Sequence, residues 1–256
     1  LPVAGVAAVE STNTVLVALA LTLLMAAMHI SAPLLLKIPK RHQEAVTSFA
    51  GGTAIAYVFL HLLPDLADGQ VAFTNEVSSD VVPAPLLASG IFLIALLGML
   101  VFYGLDSWAR VDTGPTQLSY VVHVGAYAVL NIVVTYTMPS RVATGFDFAL
   151  LFAVAFGLHF LLTDRNLAQA HPTRFSLLTR WILVSSLLLG LVLAAALPPT
   201  TELAVAIPVA FLSGSILTSV FREELPDVKA AKFGWFTIGV TVYAVLLLWA
   251  TAVSEM

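Results

Sequence analysis

Eight long stretches of this chain are predominantly apolar, each bounded by charged residues or by Pro and Gly clusters. They cover Thr14–Leu36, Ala45–Leu63, Leu86–Trp108, Leu118–Met138, Phe146–Thr163, Leu177–Leu197, Leu203–Phe221 and Phe233–Val253. A run of roughly 18 apolar residues suffices for a helix to cross the hydrocarbon core, where a helix satisfies its own backbone. The pattern therefore predicts an all-α membrane protein with eight transmembrane helices, forming a single transmembrane domain over residues 1–256. The fifth run is the shortest, and an amphipathic extension past Asp164 toward His171 is expected of it. The first is long enough to stay in the membrane rather than act as a cleaved signal.

The basic residues orient this array. With the N-terminus outside, the inner loops and helix ends hold Lys37, Lys40, Arg41, Arg110, Arg165, Arg174, Arg180, Arg222, Lys229 and Lys232. The outer ones hold only Arg141. An odd number of helices would destroy this split, so the positive-inside rule supports eight crossings with both termini extracytoplasmic. The outer connection Leu66–Pro85 carries Asp68, Glu76 and Asp80 and no basic residue, a composition that attracts cations or merely solvates a loop.

One stretch occurs twice. Gly51-Gly52-Thr53-Ala54-Ile55-Ala56-Tyr57-Val58-Phe59-Leu60-His61-Leu62-Leu63-Pro64-Asp65 is matched 162 positions later by Ser213 to Asp227, with identity at Gly52/Gly214, Val58/Val220, Phe59/Phe221, Leu63/Leu225, Pro64/Pro226 and Asp65/Asp227. In the eight-helix topology the second helix runs outward and the seventh inward, so the copies are antiparallel. Helices one to three and six to eight are then inverted repeats around a central fourth and fifth, a three-two-three scaffold suited to alternating access. The bland alternative is that small residues at helix contacts and a Pro-Asp helix stop recur in any bundle.

Composition narrows the chemistry. The chain is 59% hydrophobic and 10% charged, with mean hydropathy +0.97 and net charge −4. Scattered basic residues give no footprint for nucleic acid. The lack of cysteine removes thiolate ligands and thiol catalysis. No phosphate loop, His-Glu-x-x-His helix or serine elbow occurs, so no enzyme activity is expected. A charge at the bilayer centre costs about 2.5–3.5 kcal/mol, so the few ionisable residues inside the runs need partners or roles. His123 and His159 fall at similar depth on the fourth and fifth helices, where they could share a divalent cation with a carboxylate such as Asp164 or Glu223. His61 and Glu223 occupy equivalent repeat positions. His29 reads as a core histidine bonded to a neighbouring helix.

These features resemble the ZIP metal transporters. The resemblance rests on eight helices, the inverted arrangement, and Phe59-Leu60-His61-Leu62-Leu63-Pro64-Asp65 after the small-residue run Phe49-Ala50-Gly51-Gly52; Leu225-Pro226-Asp227 adds to it. The departures lie where that family binds metal. Its fourth-helix pattern His-Asn-x-x-acid-Gly stands here as His123-Val124-Gly125-Ala126-Tyr127-Ala128, and on the fifth helix only His159 and Asp164 match. A two-metal site is therefore not expected. The resemblance implies a transporter moving a divalent metal cation, with zinc as the leading candidate, toward the cytoplasm. His61 and Asp65 would receive the ion, His123, His159 and Asp164 would hold it, and Glu223 and Asp227 would release it. No tightly bound cofactor is implied beyond the transported metal. The expected partners are the lipid bilayer, the metal ion and, as an open option, a second copy in a homodimer. The competing readings are a non-transporting scaffold or sensor, and a transporter of a non-metal solute.

Overall fold

The computed structural model of the protein describes residues 12–77, 82–109, 117–224 and 232–254. Among them the chain forms helices and no strand. Helix α1 covers Thr12–Lys37 and α2 Lys40–Glu76. After a single turn at Ala84–Leu87, α3 covers Gly90–Ala109. Helix α4 spans Gln117–Thr144 with an interruption at Thr137, α5 Phe146–Ala170, and α6 Leu177–Ala196. Helix α7 covers Glu202–Ser219 and leads into Val220–Glu224, and α8 covers Phe233–Ser254. Seven of the eight are long and apolar enough to cross a membrane; α3 is apolar over the shorter stretch Gly90–Leu105.

Burial follows the rule for a bundle in lipid. Small polar residues such as Ser213, Ser215 and Thr135 are fully buried, while Leu97, Leu100, Leu248 and Trp249 stand exposed. Water would drive the opposite distribution; hydrocarbon outside and close helix contacts inside produce this one. This is the architecture of an all-α, multi-pass membrane protein.

The helix ends match the runs closely, with one main difference. The extension of α5 reaches Ala170, as its amphipathic sequence predicts. At Pro64-Asp65, by contrast, the helix does not stop. Val58–Leu62 is a π-helical turn, and the Leu63 N–H bonds the Val58 carbonyl five residues back. That wider turn accommodates the missing donor and ring of Pro64, so α2 resumes and continues to Glu76. Most of the expected outer loop is therefore helix. Gln70 ties its end to α3, donating to the Leu87 carbonyl at 2.8 Å and accepting from the Ile91 N–H at 3.0 Å.

The second π-helical turn is Val220–Glu224, at the repeat positions equivalent to Val58–Leu62. Helix pairing shows the same duplication. Helix α2 packs on α8 and α7 on α3, while α1 packs on α5 and α6 on α4. Exchanging α1 with α6, α2 with α7, α3 with α8 and α4 with α5 converts each pairing into another observed one. The agreement extends to single atoms. A Cβ on Gly52 would lie 2.1 Å from the Phe236 carbonyl oxygen, and one on Gly239 2.1 Å from that of Phe49. In the other copy, Gly214 meets the Ala95 oxygen at 1.7 Å and Gly98 the Phe211 oxygen at 2.1 Å. Only glycine permits backbones this close.

Candidate functional site

A cavity of about 620 Å³ lies where the π turn of α2 meets the α4–α5 junction and the start of α7. His61, Asp65, Asp68, Arg141 and Glu202 line it, along with Phe148 and Val205. The α2 register places His61 and Asp65 together, with Nε2 and Oδ2 3.7 Å apart. Two donors at that spacing can both reach one ion at ~2.1 Å ligand distances. The short segment Met138–Thr144 brings in Arg141, whose Nη1 donates to Asp65 Oδ2 at 3.1 Å and to His61 Nε2 at 2.9 Å. A guanidinium has no acceptor, so His61 Nε2 carries the lone pair and the imidazole is neutral. The guanidinium carbon also sits 4.1 Å from the Phe152 ring centroid.

A second cavity, about 30 Å³, adjoins the other π turn and is lined by Phe102, Leu105, His123, Tyr127, Ser219 and Arg222 among others. It lies at the opposite end of α4 and α7 from the first. The first is lined mainly by α2, the end of α4 and the start of α7, with Phe148 of α5 and Thr251 of α8, and the second by α3, the start of α4 and the end of α7.

Between the two ends lies a buried polar chain. His29 Nδ1 donates to Asp164 Oδ2 at 2.9 Å, and Asn131 Nδ2 contacts His29 Nε2 and the Leu183 carbonyl, each at 3.2 Å. His29 and Asp164 are 1% and 0% exposed. The chain thus staples α1, α4, α5 and α6, with His29 stacked on Phe160 at 4.6 Å. Asp164 Oδ1 and Thr163 Oγ1 are buried with no hydrogen-bond partner among the described residues.

The expected ligands are therefore distributed differently from the sequence reading. His61 and Asp65 converge. His123 and His159 line separate cavities that share only Tyr127 of the pair's surroundings, His159 belonging to one of about 10 Å³ with His29, Asn131 and Thr163. The aromatic neighbours of His123 are Tyr127 and His171, with ring centroids at 6.3 and 6.1 Å. Burial, then His123 and Arg174, push the His171 pKa below its ordinary value. Asp164 gives one oxygen to His29. Glu223 lies in the second π turn, its side chain outside the described residues, and Asp227 lies outside them entirely. Among the described residues no three His, Asp or Glu side chains gather as a metal-binding group.

Sequence reasoning missed Arg141 as a site residue, although it was the lone basic residue on the outer side, which is itself a signal. His29 is bonded to a neighbouring helix, as expected, but nothing in the local sequence indicates that its partner is Asp164, 135 positions away. Compared with known proteins, the chain matches no family model and no curated relative.

Proposed function

We propose that the protein is an eight-span membrane transporter of the inverted-repeat kind, with both termini outside, that carries a small cation through the cavity at His61 and Asp65. The observation that carries this reading is the duplicated set of helix pairings, with a cavity of about 620 Å³ at one end of α4 and α7 and one of about 30 Å³ at the other. A scaffold whose two halves exchange under symmetry has a second state in which the openings are reversed, and alternation between them is transport. The open cavity sets three carboxylates (Asp65, Asp68 and Glu202) against one guanidinium, so it attracts positive charge. A neutral imidazole and a carboxylate suit a divalent metal of the zinc type, and two protein ligands bind it loosely enough to release it. The ZIP-like features of α2 agree with that cargo. His123 stands at the smaller cavity and is the expected ligand on the exit side; the His29–Asp164–Asn131 chain forms the barrier between.

The competing reading, a bundle that transports nothing, draws on Arg141, which already engages both His61 and Asp65. Zinc uptake into proteoliposomes separates the two. Uptake by the wild type that falls at least tenfold in His61→Ala/Asp65→Asn supports the transporter. No uptake of zinc, iron or manganese by folded protein supports the scaffold.

A further inference from the structure

Arg141 stands where a cation would bind. His61 Nε2 and Asp65 Oδ2 converge on one point, and a single guanidinium nitrogen, Nη1, occupies it at 2.9 and 3.1 Å. We propose that Arg141 is a tethered counter-cation that competes with the transported ion for His61 and Asp65, setting both the affinity and the charge selectivity of the entrance. This rests on the reading of the cavity as a cation entrance.

Three features favour a displaceable group over a fixed structural pair. Both polar contacts use the same Nη1 rather than the bidentate fork with which arginine clamps a carboxylate. The Nε of Arg141 is buried with no hydrogen-bond partner among the described residues, so the guanidinium is incompletely satisfied where it sits. The same cavity offers Asp68 and Glu202 as other carboxylates for the released side chain. The Phe152 face meanwhile holds the guanidinium over the site through its ring quadrupole.

Displacement requires an ion that gains more from the imidazole lone pair and carboxylate than the guanidinium does. A divalent metal that bonds nitrogen meets this requirement; sodium and potassium, hard monovalent ions, do not. Arg141 also keeps the two ligands from facing each other uncompensated when no cargo is bound, since an unpaired carboxylate in a part-buried site is costly. The guanidinium and the cargo thus hold the pair in turn.

Calorimetric titration of zinc chloride into the purified protein in detergent tests this. Arg141→Gln is expected to bind zinc at least tenfold more tightly than wild type, and Arg141→Lys, which retains the charge, much less so. The gain should vanish when Asp65→Asn is added, and millimolar methylguanidinium should weaken binding to Arg141→Gln while leaving the wild type unchanged. Melting curves confirm that each variant is folded. Wild-type zinc binding that Arg141→Gln leaves unchanged or weakens overturns the competition while leaving the cation entrance in place. An absence of zinc binding in every folded variant overturns the entrance, and the competition with it.

Discussion

At the scale of single residues, the most demanding feature is a carboxylate with no exposure in the middle of an apolar bundle. Asp164 is tolerated because His29 donates to it and Asn131 fixes the tautomer of His29 from the other side. Removing the carboxylate leaves the neutral His29 Nδ1–H buried without an acceptor, at a cost of about 2–3 kcal/mol. Asp164→Ala should therefore lower stability by about that amount in unfolding by SDS titration in mixed micelles. Asp164→Asn keeps an acceptor for the His29 Nδ1–H and should lose about 1 kcal/mol. Equal losses would show that the His29 bond contributes nothing. The residue scale is also where sequence reading reached least far. His61 and Asp65 were legible as a pair because four residues of helix fix their relation. Placing His123 opposite His159 used depth alone, which fixes position along a helix axis but not rotation about it. Arg141 reaches Asp65 across 76 positions, and no local pattern encodes that contact.

At the scale of elements, apolar run length located the helices well, because lipid thickness imposes it directly. The interior of α2 was read less well. Pro64 reads as a stop when only the α-helical ladder is considered; the π turn before it gives the chain another way through. The same turn recurs at Val220–Glu224, two positions before Pro226, which identifies it as part of the repeated design. The shared glycine contacts set the spacing of these helices. Gly214→Ala places a methyl group against the Ala95 carbonyl, which cannot yield without separating α7 from α3. A loss of about 1–3 kcal/mol is expected for such overpacking, outweighing the gain in helix propensity. Gly104→Ala, on α3 with no atom within 4 Å of the added carbon, should cost nothing in the same assay. Comparable loss at both positions would contradict the close approach of α7 and α3.

At the scale of the whole molecule, a duplicated set of helix contacts surrounds two cavities that are not duplicates. The helix pairings obey the exchange of the halves, yet the cavity at one end is about 620 Å³ and that at the other about 30 Å³, an asymmetry that the proposed two-state carrier requires. The duplication was legible in the sequence because six identities at constant offset survive in it. The difference in the cavities was not, since it depends on side-chain packing between helices far apart in the chain.

The chain contains no cysteine, so its two ends can be probed with single introduced thiols and no background. Val205→Cys reports on the open cavity and Ala126→Cys on the closed one. Labelling rates with a charged maleimide, in detergent and over a range of zinc concentrations, test the central claim directly. Fast labelling is expected at Val205→Cys and protection at Ala126→Cys without zinc, with the two rates moving in opposite directions as zinc is added. Rates that stay constant, or that rise together, would show that the two cavities are not alternating entrances to one path.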